Sequence, residues 1–299
     1  MVARGFMNRR WSCFRPGVWI PTVGLMSLFC CGGLAGQNSK NSANRADVTA
    51  SKTNEASALY TQQGTDPTFA EIISRLPQGG TSTAGLTGSK IHVNKSLVDV
   101  GPNAKTPIAK DIGLHTLANS SIHRKDFPKW TRWYQEDGNV QIFRLFKGET
   151  NVHNARALAA RVEAFGGHWA AGKSNEWHEW SGTYTIVKPG GACIFQDMNS
   201  GKTLWAFHLD MNSKGDVLFL PRHVKNGEKV IAANMTGKPF HIRVRDNGLD
   251  YELYLNNEKV GSGSYPRPEG INGFRWGMYK GESAVNDDQM VFVTGVTFH

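Results

Sequence analysis

From about residue 122 onward, apolar and polar residues alternate in short runs separated by turn-forming residues. Clear runs are Val140 to Phe146, Gly182 to Val187, Cys193 to Gln196, Leu204 to Leu209 and Val217 to Leu220. Phe240 to Arg245, Tyr251 to Leu255 and Met290 to Phe298 follow. Successive side chains of a strand point to opposite faces, so this alternation predicts half-buried antiparallel strands. Asn256-Asn257 reads as a tight turn between two of them. Ala155 to Ala164 is Ala-rich, but its neighbours argue for a strand there, and no helix of ten or more residues is predicted in this region. Many short strands without βα alternation predict an all-β sandwich or jelly roll.

The pattern upstream is different. Residues 36–66 are polar and bury too little to offset the entropy of ordering, which predicts a disordered spacer. Phe69, Ile72, Ile73 and Leu76 have the spacing of one face of a short helix, near 67–76, stopped by Pro77-Gln78-Gly79-Gly80. Residues 79–120 are rich in Gly, Ser, Thr and Asn and read as a loose lead-in. The expected plan is a leader over 1–35, a low-complexity linker over 36–120 and a β domain over 121–299.

The leader reads as a secretory signal. Arg9 and Arg10 supply a charged start, Val18 to Leu34 a mostly apolar stretch, and Gly33-Leu34-Ala35 small residues for cleavage. The stretch is too short for a membrane span. Cys30 and Cys31 leave a lipid anchor open, although Leu28-Phe29-Cys30-Cys31 is a poor lipidation sequence. The expected location is outside the cytoplasm: secreted, periplasmic or at the cell surface. Of the four cysteines, Cys13, Cys30 and Cys31 lie in the leader and only Cys193 follows it. One thiol makes no internal disulfide and no Cys-rich metal site, and no metal or cofactor is expected. The net charge of +9 divides into +4 for residues 1–35, +2 for 36–120 and +3 for 121–299. The mature chain is thus only mildly cationic. That argues against nucleic acid as partner and is compatible with a polyanionic ligand.

Three segments carry candidate chemistry: Arg161-Val162-Glu163-Ala164-Phe165, Ile194-Phe195-Gln196-Asp197, and Phe274-Arg275-Trp276-Gly277-Met278-Tyr279-Lys280. On strands, Arg161 shares a face with Glu163, and Arg275 with Tyr279. Cationic, amide and phenolic groups on one face of a sandwich would line a groove. Arg243 and Arg245 alternate with Ile242 and Val244 and read as a solvated face.

These segments resemble the three motif strands of the jelly-roll polysaccharide lyases, most closely the alginate-lyase (family 7-like) type. That family shows an Arg-(Ser/Thr)-Glu-Leu-Arg strand, a Gln-(Ile/Val)-His strand and a Tyr-Phe-Lys-Ala-Gly-x-Tyr-x-Gln strand. Arg161 and Glu163 match the first, whose second Arg is here Phe165. Gln196 matches the second, whose His falls on Met198. Phe274, Arg275, Gly277 and Tyr279 match the third, with Arg for Lys and Gly281 for the final Gln. The similarity spans roughly residues 122–299. Related glucuronan and heparin-type uronate lyases share the fold, so the missing His leaves the sugar open. The resemblance implies a concanavalin A-like β-sandwich acting on a uronate-containing acidic polysaccharide, as a monomer.

Such lyases cleave by β-elimination. The proton at sugar C5 is too weakly acidic to be removed unless the neighbouring carboxylate is first neutralised. Arg suits that task through its planar fork, and Gln can add a hydrogen bond. A Tyr or His then moves the proton. The resemblance therefore implies that Arg161 and Gln196 neutralise, that Tyr279 is acid or base, and that Arg275 binds a sugar carboxylate, with Glu163 and Lys280 beside them. With the motif His absent, His168, His178 and His208 are candidate bases. His178 lies in Glu176-Trp177-His178-Glu179-Trp180, where Trp177 and Trp180 could stack on sugar rings. His208 lies in an apolar strand and is a candidate for binding as well. The rival reading is a non-catalytic, lectin-like carbohydrate-binding module. Convergence of Arg161, Gln196, Arg275 and Tyr279 on one surface separates a lyase from a fold with those residues dispersed.

Overall fold

The computed structural model describes residues 57–76, 85–152, 159–172, 176–199, 204–281 and 283–299. The expected leader, its cleavage site and the lipid-anchor cysteines lie outside them. No helix of the described residues is long and apolar enough to cross a membrane.

Two seven-stranded antiparallel sheets face each other. The front sheet runs β11 (Lys229–Ala232), β10 (Val217–Pro221), β9 (Leu204–Met211), β8 (Ala192–Asn199), β15 (Ile271–Tyr279), β6 (Arg161–Ala170) and β3 (Gly113–Thr116). The back sheet runs β14 (Glu258–Ser264), β13 (Asp250–Leu255), β12 (Pro239–Asp246), β7 (His178–Lys188), β16 (Gln289–Phe298), β5 (Val140–Leu145) and β4 (Tyr134–Asp137). β1 (Tyr60–Gln63) and β2 (Lys90–Val93) form a separate two-stranded antiparallel sheet. This is the predicted sandwich. Each alternating run listed from the sequence lies within or largely overlaps a strand, and Asn256 and Asn257 both take positive φ (48° and 72°) in the turn between β13 and β14.

The core is the space between the sheets. From the front come Val162 and Ala164, Phe195, Phe207 and Leu209, and Phe274, Trp276 and Met278; from the back come Trp180, Tyr184, Phe240, Ile242 and Val244, all buried. Aromatic rings meet across the gap, as in Trp180 with Trp276 (5.8 Å between centroids) and with Phe195 (4.8 Å). Several of the polar groups caught inside are paired, as burial favours. Trp276 Nε1 donates to Gln141 on β5 at 2.9 Å. Arg267 is wholly buried and joins the sheets: Nη1 donates to Asp197 on β8 at 2.8 Å, and Nη2 to Asp246 on β12.

The domain plan needs one correction. Much of the segment expected to be linker is built into the same compact unit. The expected helix stands at Phe69–Arg75, capped by Thr68 and Glu71, which bond each other reciprocally. Asp66, inside the expected disordered spacer, ion-pairs with the buried Arg144 at 3.2 Å. β3 is an edge strand of the front sheet, bonded to β6. Its polar, Gly-rich surroundings hid it, because a four-residue edge strand needs only Leu114 to face the core.

Arg267→Met would strip the cation from two buried carboxylates on opposite sheets. It is expected to cost about 3–5 kcal/mol, read as a lowered denaturant midpoint; an unchanged midpoint would show that the clamp contributes nothing.

Candidate active site

The outer face of the front sheet follows from the inner one. Because Val162 and Ala164 point inward on β6, Arg161, Glu163 and Phe165 point outward; because Phe274, Trp276 and Met278 point inward on β15, Arg275 and Tyr279 point outward. The strand register then sets them in rows. Asp210, Cys193, Tyr279 and Arg161 lie side by side across β9, β8, β15 and β6. His208, Gln196, Arg275 and Phe165 form a second row across the same strands. Between the rows lie Gly277, Glu163 and, from β3, His115.

Arg161, Gln196, Arg275 and Tyr279 thus share one surface. The Arg161 guanidinium stands 4.9 Å from the centre of the Tyr279 ring. Gln196 Nε2 donates to Glu163 Oε1 at 2.6 Å. Those two residues sit on strands separated by β15, roughly 10 Å apart at the backbone, and they meet diagonally across it, since Glu163 pairs with Gly277 and Gln196 with Arg275. Gly277 has φ of +126°, and a Cβ there would stand 2.4 Å from the Val162 carbonyl oxygen.

Glu163 is the electrostatic centre. It is only 2 % exposed although it points away from the core, covered by its longer neighbours. Burial pushes its carboxyl up, opposed by the charges of Arg161 and Arg275 and by the Gln196 hydrogen bond. Burial likewise holds the Arg275 guanidinium below its usual range, with Glu163 opposing. The expected contact of Glu163 with sugar does not fit this burial; its geometry is that of a group that holds Gln196 and balances two cations.

The structure adds His115, which the sequence reading missed. It is buried, directly opposite Glu163 in the β3–β6 register, and its ring stacks on Phe165 at 4.5 Å. Gly113, one strand over from Phe165, leaves space for that ring: a Cβ would lie 2.1 Å from its edge. The Ser121 N–H donates to His115 Nδ1 at 3.1 Å. A neutral imidazole accepting there carries its proton on Nε2. Burial, then the charges of Arg275 and Arg161, hold His115 down at about 3. The signal for it was the alternation of Ile112, Leu114 and Thr116 with Gly113 and His115, short enough to be lost in its surroundings.

Of the other expected residues, some fall elsewhere and some lie on the same face. Trp180 is fully buried among Tyr184, Phe195 and Trp276, so it cannot stack on a sugar. His178 opens β7 of the back sheet and stacks on Trp169 (4.3 Å), and Trp177 lies beside it with Arg245 over its ring; neither is on the outer face of the front sheet. The cause is the crossing of the chain from β6 to the opposite sheet, which adjacency in sequence does not reveal. Met198, at the position of the motif His, is a buried apolar side chain. His168 lies past Phe165 on β6, 5.8 Å from its ring. His208 sits opposite Gln196 and stacks on Trp205 at 3.9 Å; burial, then Arg222, hold it down at about 3. Lys280 follows the last residue of β15, its N–H bonded to Ala160. Arg243 ion-pairs with Glu179 at 3.0 Å on the back sheet. Among the described residues, one set of metal-ligating side chains comes together: Cys193, His208 and Asp210.

No family model matches the chain, and no curated protein matches it. Solved structures do. Alginate lyase AlgAT5 from Polysaccharide Lyase family 7 superposes with a TM-score of 0.51 at 12 % identity, over 64 % of this chain and 94 % of that one. The alginate lyase from Corynebacterium sp. gives 0.51 at 13 %, again over 64 % and 94 %. The chain therefore has an alginate lyase-like jelly-roll fold.

A pH dependence follows from His115. Its folded value of about 3 lies below that of a free imidazole. Between the two, the unfolded chain binds a proton that the folded chain refuses. The stability held by neutral His115 is complete above about pH 6.5 and is lost as pH falls toward 3; His208 acts with the same sign. His115→Asn, which keeps an acceptor for the Ser121 N–H, is expected to flatten the fall in denaturant midpoint between about pH 7 and about pH 4.5. Parallel curves for variant and parent would contradict it.

Proposed function

We propose that the chain is an exported, monomeric polysaccharide lyase that cleaves a uronate-containing acidic glycan by β-elimination on the outer face of its front sheet. The observation that carries the reading is the gathering of Arg161, Arg275, Gln196 and Tyr279 around Glu163 on one surface. Two guanidiniums share one buried carboxylate, so the cluster keeps an excess positive charge where a sugar carboxylate would bind. The uronate carboxylate lies between Arg161 and Arg275, with the second amide N–H of Gln196 turned toward it. Their charge stabilises the enolate-like intermediate that forms when C5 loses its proton.

Tyr279 is the proton carrier. As phenolate it takes the C5 proton; the C–H electron pair becomes the C4–C5 double bond as the bond from C4 to the glycosidic oxygen breaks. The same hydroxyl returns the proton to the leaving oxygen and is restored to its starting form. One residue suffices when both transfers occur on the same side of the sugar. His115 fits a different part: it presents an Nε2–H and is a donor to substrate oxygen, not a base. A second reading, a carbohydrate-binding module using the same face, is favoured by Met198 at the position of the motif His.

The two readings are separated by incubating the chain with alginate, glucuronan, ulvan and heparin-like glycans and following the ultraviolet absorbance of the unsaturated uronate product. The lyase reading expects product from at least one of them. Tyr279→Phe is expected to lower kcat by about 10²-fold or more with glycan binding retained. Binding without product from any glycan would leave the module, and full activity in Tyr279→Phe would remove that residue from proton transfer.

A further inference from the structure

The row that contains Tyr279 continues into a group of donors that the proposed sugar chemistry does not use. Cys193 is one strand from Tyr279, and Asp210 is directly opposite Cys193 on β9. His208 precedes Asp210 by two residues and so shares its face, while Leu209 and Met211 between and beyond them face the core. One ligand atom from each of Cys193, His208 and Asp210 lies within 4.8 Å of the others. The Nε2 of His208 is shielded from solvent and has no hydrogen-bond partner among the described residues. A shielded imidazole nitrogen without a partner is an unmet demand in a folded protein. The ring is held in place by stacking on Trp205.

We infer that Cys193, His208 and Asp210 form a binding site for a zinc-type divalent cation at the edge of the Tyr279 row. The donor set selects the metal. One sulfur, one nitrogen and one carboxylate oxygen suit zinc, whereas calcium and magnesium call for oxygen ligands. Ligands around a tetrahedral zinc stand roughly 3.5 Å apart, so the three side chains need close by only about an ångström, within reach of small side-chain rotations. Three protein ligands leave a fourth position for water or another oxygen. On binding, the Cys193 S–H bond breaks, its proton leaves to solvent and an Sγ–metal bond forms in its place; the thiol now points to the Phe195 carbonyl oxygen at 3.1 Å. The ion would stand one strand from Tyr279, on the same face as the two guanidiniums.

The test uses the full chain with Cys13, Cys30 and Cys31 changed to Ser, so that Cys193 is its one thiol. After chelator treatment and dialysis against buffered Zn²⁺, one equivalent of zinc per chain is expected by elemental analysis. Co²⁺ in its place is expected to give the near-ultraviolet charge-transfer band of a cobalt–thiolate bond. Cys193→Ser is expected to abolish that band, and Asp210→Asn, nearly the same shape, to lower zinc affinity at least tenfold while leaving the circular dichroism unchanged. No bound zinc in the parent, or equal zinc binding in a folded Asp210→Asn, would overturn the site. Because metal is read without any glycan, failure of this inference is distinct from failure of the lyase reading.

Discussion

A strand can bury only every second side chain, and everything on the outer face of the front sheet depends on that constraint. Phe274, Trp276 and Met278 fill the space between the sheets, and Arg275 and Tyr279 are thereby turned out. Val162 and Ala164 do the same for Arg161, Glu163 and Phe165. A slip of one residue in the pairing of β6 and β15 would send the cations into the core and the aromatic rings into water, so the core fixes the register of the face. Facing outward is still not the same as being wet. Glu163 points away from the core and is nearly inaccessible, because Arg161, Arg275 and Gln196 are long enough to close over it.

Two of the charged clusters of the molecule have opposite stoichiometry. Inside, one guanidinium, Arg267, serves two carboxylates, Asp197 and Asp246, and burial pushes the Asp197 carboxyl well up. On the outer face, two guanidiniums attend one carboxylate. The inner cluster is closed by its own members and by the sheets that cover it. The outer one has a surplus cation at a surface, and an anion from outside is what would complete it. This asymmetry supports the reading of an acidic ligand better than net charge does, since the excess over residues 121–299 is only +3.

The sandwich was legible because alternation is a direct image of two-sided burial, and the runs from Val140 to Phe298 state it repeatedly. The grouping of Arg161, Gln196, Arg275 and Tyr279 on one face could be read from motif order together with the period of two. Contributions from the chain upstream could not. β3 brings His115 beside Glu163 from a stretch whose composition resembles a linker, and one inward leucine is too little apolar signal to mark a strand. Trp177, His178 and Trp180 misled for the converse reason: they follow the Arg161 strand in sequence, but the chain changes sheets between β6 and β7. Periodicity tells which side of its own strand a residue takes, not which sheet the strand joins.

Gly277 carries two demands that arise from different parts of the physics. The backbone needs it, because φ of +126° and the Val162 carbonyl 2.4 Å from any Cβ leave no place for a side chain. The core needs it as well, since a Cβ there would also stand 2.7 Å from the ring of Phe143 on the back sheet. A residue bound by one demand can drift when its surroundings adjust; one bound by two can drift only if both adjust together. Groups on the outer face can be exchanged one at a time without disturbing the core, whereas no side chain fits at this glycine.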